Sequence, residues 1–166
     1  MENKNELIIT RNFNAPRELV FKAWTEADQL AKWWGPKEAE IVVSELSIYP
    51  GGKFHYSMEF PGQPKMWGIF VYKEIVALER IVFSSSFSDE KGNITRNPWT
   101  PVWPLEVMNT VELTEHNGIT TLTIKGGPIN ATEEECRAFI EAAQSMQQGF
   151  KGTFDKLDEY LTAINK

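Results

Sequence analysis

Cysteine is nearly absent from this sequence, since Cys136 is the only one in 166 residues. An internal disulfide is therefore impossible, and a zinc site built from cysteines is excluded. Apolar runs are also short: none approaches the roughly 20 residues that a bilayer-spanning helix requires, and the N-terminus has no signal-peptide pattern. These absences predict a cytoplasmic protein with no membrane insertion, in which Cys136 is a small buried apolar residue.

Clusters of basic residues are missing too. The formal net charge is -6, and no group of Lys or Arg forms the footprint that neutralises phosphates, so nucleic acid is not an expected partner. The chain has no Gly-x-Ser-x-Gly elbow, phosphate loop or dinucleotide fingerprint, and His55 and His116 lack the spacing of metal ligands. The sequence therefore favours binding over catalysis and predicts no catalytic residue, metal site or cofactor.

The residues that are present predict one α+β domain over residues 1–166. The opening "ELIITRNFNA" is rich in β-branched residues and indicates a strand that stops before Pro16. Apolar residues then recur at helical spacing from Pro16 to Ala31. This pattern predicts one amphipathic helix, or two short helices broken near Thr25.

Six further runs indicate strands of an antiparallel sheet of about six to seven strands in all. They are "AEIVVSELSI", "GKFHYSMEF", "KMWGIFVYKEIV", "RIVFSSSFS", "PLEVMNTVELTE" and "ITTLTIKGG". Short turns separate most of them, and Asn117-Gly118 between the last two is a strong hairpin signal.

The C-terminal segment predicts one long helix from Thr132 to about Ala163. Thr132 with Glu135 forms a capping-box pattern, and an apolar stripe continues for some thirty residues. Gly149 and Gly152 interrupt this helix at a cost of about 1 kcal/mol each, and we expect close packing to compensate at one of them.

On the strands, alternation assigns side chains to faces. Phe54, Tyr56 and Met58 share one face of their strand and should point toward the C-terminal helix, whereas His55 and Glu59 should face solvent. Alternation cannot assign residues 66–72, which are apolar on both faces. On other elements the predicted inward residues are Phe83, Ser85, Phe87, Met146, Phe150 and Phe154.

Four tryptophans stand in irregular segments. In "WWGP", Trp33 and Trp34 are adjacent, so their rings cannot easily point the same way: one should cap the core, and the other should line a cavity mouth or a partner surface. Trp99 and Trp103 belong to the long connection 89–104, and loops of this length are often lids.

Nearly the whole chain resembles a known family. The stretches "ITRNFNAPRELVFKAWTEADQLAKWWGP", "YPGGKFHYSM", "YKEIVALERIVFS" and "GFKGTFDKLDEYL" are similar, in order, to homologues of the activator of heat-shock-protein-90 ATPase, over roughly residues 7–162. That family belongs to the START-like (SRPBCC) superfamily. The resemblance implies a helix-grip, Bet v-like fold, in which a curved antiparallel sheet wraps over a long C-terminal helix and two short helices follow the first strand.

The resemblance implies a cavity between sheet and helix, since superfamily relatives bind lipids, sterols, plant hormones or polyketides there, and a few catalyse cyclisation or aromatisation. Our first hypothesis is therefore the binding of a small apolar, lipid-like or aromatic molecule. The predicted ligand-binding residues are Trp34, Phe54, Tyr56, Met58, Phe83, Ser85, Phe87, Trp99, Trp103, Met146, Phe150 and Phe154.

Two alternatives belong to other functional classes. One is a protein-interaction module that makes a chaperone contact through "WWGP"; the eukaryotic co-chaperones carry an additional N-terminal docking domain, whereas this sequence starts directly with the first strand. The other is a cyclase-like or hydrolase-like enzyme, which would need an inward polar residue such as Ser85 for turnover.

Overall fold

The fold was determined as a computed structural model that describes residues 6–165. The strands are β1 (Leu7–Phe13), β2 (Glu40–Leu46), β3 (Lys53–Glu59), β4 (Met66–Val76), β5 (Arg80–Ser88), β6 (Ile94–Thr95), β7 (Glu106–His116) and β8 (Ile119–Ile129). The helices are α1 (Arg17–Thr25), α2 (Ala27–Trp33), α3 (Glu133–Glu141) and α4 (Ala143–Ile164).

All strand pairs are antiparallel, in the order β1-β8-β7-β5-β4-β3-β2, and the two-residue β6 pairs with β5 beside this path. The predicted α+β helix-grip fold is confirmed, and β6 is the strand that the sequence pattern did not show. Asn117 and Gly118 both have positive φ, 53° and 79°, as the predicted hairpin requires. The edge strand β2 carries a register shift between Val43 and Glu45.

The helices differ from the expected ones at one point. The predicted break near Thr25 is confirmed, because α1 ends there and α2 begins at Ala27. The capping box is also confirmed, since Thr132 Oγ1 accepts from Glu135 N and Glu135 Oε1 accepts from Thr132 N. The predicted long C-terminal helix is confirmed, with an interruption at Ala142 that divides it into α3 and the 22-residue α4. Its two halves pack on different partners: α3 contacts β8 and the 89–104 connection, whereas α4 contacts β1 and α2.

The core lies between the inner face of the sheet and helices α1, α2 and α4. Trp33 is fully buried in it, and its indole N–H donates to the carbonyl of Ala23 at 2.9 Å. Large aromatic side chains dominate this region because each buries an extensive apolar area. The largest fully buried aromatics are Trp33, Phe13, Phe54, Phe83, Phe139 and Phe154.

Close packing does not explain Gly149 or Gly152, so the expectation that packing compensates at one of them is wrong. Both are exposed, and a Cβ built at either position would meet no atom within 4 Å. The helical glycines of α4 therefore lower helix propensity without an observed packing gain.

A further correction concerns the exposure of His55. It lies on the outer face of the sheet as alternation predicts, yet only 6% of it is exposed, because the turn 89–93 folds over it. Its Nε2 lies 3.0 Å from the Asp89 carbonyl oxygen and must be the donor, since a carbonyl oxygen only accepts. The ring also stacks on Trp67 at 5.0 Å. This fold-back buries the outer face of β4 as well, which is why residues 66–72 are apolar on both faces.

Candidate functional site: a cavity between the sheet and the C-terminal helices

A cavity of about 250 Å³ lies between the inner face of the sheet and helices α3 and α4. Among residues 6–165, no lysine, arginine, histidine, aspartate or glutamate lines it. Its lining residues are Leu7, Ile9, Trp34, Tyr56, Met58, Met66, Trp67, Gly68, Phe70, Phe83, Ser85, Ser86, Phe87, Trp103, Val107, Asn109, Ile124, Gly126, Phe139, Met146 and Phe150.

The cavity brings together most of the predicted ligand-binding residues. Those that line it are Trp34, Tyr56, Met58, Phe83, Ser85, Phe87, Trp103, Met146 and Phe150. They come from α2, β3, β5, the 89–104 connection and α4, so that elements distant in sequence share one surface.

Three predicted residues do not line the cavity. Phe54 faces inward but lies deeper, fully buried beneath Tyr56, on which it stacks at 4.7 Å. Phe154 is on the predicted side of the helix but is enclosed by Phe13, at 6.0 Å between ring centroids, and by Trp24. Trp99 is 67% exposed and is not among the residues that line the cavity.

The first wall of the cavity is Trp34, and helix α4 holds it in place. Gly35 has φ of +83°, and a Cβ there would lie 2.8 Å from Ile41 Cδ1, so this turn requires glycine. The Gly35 carbonyl accepts hydrogen bonds from Thr153 Oγ1 at 3.2 Å and Lys156 Nζ at 3.1 Å. Burial lowers the pKa of Lys156. These bonds tie "WWGP" to the "GTFDK" stretch of α4.

Trp34 turns its ring toward the cavity while Trp33 points into the core, with their planes at 86°. Trp34 meets Phe70 edge-on at 5.2 Å and Tyr56 at 6.3 Å. Neither ring of the pair stands out on the outer surface. Trp33 is fully buried and offers no surface to a partner, whereas Trp34 is half-buried.

Tyr56 places a hydroxyl group in this apolar surrounding. A Cβ added at Gly68 would lie 2.5 Å from that hydroxyl oxygen, so glycine on β4 makes room for the phenol. Burial raises the pKa of Tyr56, and a contact with the indole N–H of Trp34 partly offsets the rise. The phenol is thus neutral and keeps its proton.

A second polar spot lies across the sheet, on β5 and β7. Asn109 Nδ2 donates to Ser85 Oγ at 3.0 Å and to the Val107 carbonyl at 3.1 Å. The amide orientation is fixed, because the carbonyl of Val107 can only accept. Gly126 leaves space for Asn109, since a Cβ there would lie 2.8 Å from Asn109 Oδ1.

The second wall is Trp103, and the 89–104 connection carries it. Its ring packs against Phe139 of α3 at 5.6 Å. Arg96 donates to the Trp103 carbonyl at 3.3 Å and forms an ion pair with Glu135. The backbone N–H of Thr132 and the Arg96 guanidinium hold the pKa of Glu135 below its ordinary value of 4.5. Glu135 therefore both caps α3 and holds the connection.

Sequence reasoning missed several residues of the cavity wall. Gly68 and Phe70 lie on β4, where burial of both faces removed the alternation signal. Phe139 belonged to the apolar stripe of the C-terminal helix but was not singled out. Asn109 and Gly126 are directly paired across β7 and β8, and an inward asparagine opposite a strand glycine was the signal available for them.

Metal-ligand clusters and membrane-spanning helices are both absent from residues 6–165. Within that range no group of three or more His, Cys, Asp or Glu residues could hold a metal ion. The helices of the described chain include none that is long and apolar enough to cross a membrane.

Comparison with known proteins places this geometry in context. The family described as Activator of Hsp90 ATPase homolog 1-like protein matches residues 14–162. None of the curated proteins is similar enough to this chain to count as a match.

Among solved structures, the protein Ms6760 from Mycobacterium smegmatis is 26% identical, with a TM-score of 0.78 over 95% of this chain and 91% of that chain. A solution structure from Staphylococcus epidermidis is also 26% identical, with a TM-score of 0.79 over 98% and 93% of the two chains. DynU16, a protein of the dynemicin biosynthetic locus, is 17% identical, with a TM-score of 0.66 over 96% of this chain and 48% of its own, and shows likeness of fold alone.

Proposed function

Because the chain belongs to the family of Activator of Hsp90 ATPase homolog 1-like proteins, we propose that it binds a small, mainly apolar molecule, lipid-like or aromatic, in the cavity between its sheet and helices α3 and α4. The observation that carries this proposal is the cavity lining, which is aromatic, aliphatic and methionine-rich and contains no charged side chain from the described part of the chain, residues 6–165. Pockets of this composition are typical small-molecule sites. A single domain over residues 1–166 and a cytoplasmic location are parts of the same proposal.

The charge distribution restricts the ligand further. A carboxylate or phosphate would lose its hydration in the cavity without a cationic partner, which is strongly unfavourable. The ligand is therefore uncharged over most of its buried surface. Trp34 and Trp103 both border the cavity and offer flat apolar faces to it.

Native mass spectrometry of gently purified protein tests the proposal, followed by organic extraction of anything bound. We expect a reproducible small molecule, or thermal stabilisation by members of a panel of lipids and aromatics. A ligand at about 100 times its Kd should raise the free energy of unfolding by about 2.7 kcal/mol.

Phe150→Ala tests whether the ligand binds in the cavity, because Phe150 lines it. It should abolish co-purification, whereas Trp99→Ala, at the exposed position, should leave it unchanged. An empty protein that no member of the panel stabilises contradicts the proposed function.

A further inference from the structure

Two side-chain hydroxyls of the cavity, those of Ser85 and Tyr56, have a proton free for a ligand. Ser85 Oγ accepts from Asn109 Nδ2 at 3.0 Å, and the Tyr56 ring lies beside that of Trp34, at 6.3 Å between centroids. A hydroxyl has one proton to donate besides its acceptor lone pairs. Within residues 6–165 no protein acceptor takes the proton of either group.

Asn109 cannot reverse these roles. Its two amide protons are used by Ser85 and by the Val107 carbonyl, and its oxygen lies beside Gly126. Exchanging its oxygen and nitrogen would place two acceptors, the amide oxygen and the Val107 carbonyl, against each other. Ser85 therefore presents its proton, rather than a lone pair, to the remaining space.

The Tyr56 hydroxyl is fixed by a different feature. Gly68 leaves it no competing side chain, and its raised pKa keeps it protonated at all physiological pH values. In the sheet, Tyr56 pairs with Gly68 and Ser85 pairs with Phe70, so the two hydroxyls stand on β3 and β5, on either side of β4. The apolar cavity thus offers these two hydroxyl groups as hydrogen-bond donors, and no cationic side chain of residues 6–165 lines it.

We infer that the ligand is an uncharged apolar molecule with a carbonyl oxygen, such as an aromatic ketone, ester or amide, and that Ser85 and Tyr56 donate to this oxygen. This inference rests on the proposed function and narrows it to a chemical class. A hydrocarbon would leave both donors without an acceptor, and a ligand hydroxyl would bring a proton of its own that needs a further acceptor. A carbonyl oxygen accepts from both and carries no charge.

A pair of probes with one skeleton tests the class: benzophenone, which has a carbonyl, and diphenylmethane, which has a methylene group in its place. Their affinities are measured by equilibrium dialysis. A carbonyl buried without a donor loses its bonds to water, so a donor-free cavity would favour diphenylmethane. We expect the protein to bind benzophenone roughly fivefold to tenfold more tightly instead.

Three variants and two controls locate the preference for benzophenone. Ser85→Ala and Tyr56→Phe should each reduce it, and the double variant should bring the affinity ratio to one or below. The controls are Ser84→Ala, a buried serine on the outer face of the same strand, and Tyr72→Phe, a buried inward tyrosine outside the cavity, and both should keep the ratio.

The outcomes separate the two proposals. Equal binding of both probes, or a preference that survives in the double variant, overturns the carbonyl assignment while apolar ligand binding stands. Absence of binding by either probe, together with no stabilisation by the wider panel, overturns the proposed function and this inference with it.

Discussion

Trp34 and Trp103 line one cavity, but the chain holds them in different ways. Trp34 directly follows α2, and the Gly35 carbonyl in the turn after it accepts hydrogen bonds from Thr153 and Lys156 of α4. Trp103 belongs to a 16-residue connection (residues 89–104) and is held by Phe139 and by the pair of Arg96 with Glu135. Of that pair, the Arg96 side chain is half exposed.

The difference indicates which wall gives access to the cavity. The Trp34 wall is continuous with the core through Trp33 and Trp24, so moving it would open the core itself. The Trp103 wall can be displaced by breaking the ion pair of Arg96 with Glu135, the Arg96 bond to the Trp103 carbonyl and the contact with Phe139. Elements of low local stability are those that open first, and we expect ligands to enter on the Trp103 side.

The largest expected loss of stability comes from a substitution next to Trp34, on the side of the cavity that is continuous with the core. Trp33→Ala removes a fully buried ring and its bond to Ala23, and should lower the free energy of unfolding by about 3–5 kcal/mol. Trp103→Ala removes a half-buried ring and should cost less than half as much. Urea denaturation of both variants measures the difference, and equal losses would show that the two walls are equally part of the core.

A smaller effect should come from α4, which borders both regions. Gly149→Ala and Gly152→Ala replace exposed helical glycines that have open space around them. Each should raise the free energy of unfolding by roughly 0.5–1 kcal/mol, because alanine has the higher helix propensity. Thermal melts of the single variants and of the double variant test this, and a loss of stability would reveal a contact that the open space does not show.

The smallest effect on stability should come from Glu135→Gln, on the Trp103 side. The pKa of Glu135 is lowered in the folded state, so its contribution is present above the ordinary value of 4.5 and is lost as pH falls through the lowered pKa. Wild type should therefore melt above Glu135→Gln at pH 7, and this gap should close as pH falls below 4.5 through the lowered pKa of Glu135.

Glu134→Gln is the matched control, since Glu134 is an exposed neighbour in the same helical turn. It should show no comparable pH dependence. If the carboxylate of Glu135 holds the connection, Glu135→Gln should also accelerate ligand uptake in stopped-flow measurements. Unchanged uptake would place the entrance elsewhere.

Much of this architecture could be predicted from the sequence, because strand alternation and helical spacing are local properties. Alternation assigned Tyr56, Phe83 and Ser85 to the inner face. Alternation did not give the distance of an inward side chain from the cavity, so Phe54 was assigned to the cavity although it lies beneath the lining. The distance of an inward side chain from the cavity depends on how the sheet curves, which no local pattern records.

The remaining errors come from contacts between distant segments. His55 is buried because residues 89–93 return across the outer face, and the C-terminal helix is interrupted at Ala142 although its apolar stripe continues. Trp99 and Trp103 are four residues apart in a connection without periodicity, and only one reaches the cavity. In such segments the tertiary contacts decide the outcome, and the sequence offers no spacing rule for them.

The register shift in β2 has a further consequence, for aggregation. β2 is an edge strand, and edge strands present free N–H and C=O groups on which a strand of another chain could add. The shift between Val43 and Glu45 interrupts that row, and Glu45 is an exposed charge at the interruption. A second strand would have to desolvate this carboxylate and follow an irregular backbone, so this edge is protected against intermolecular β-pairing.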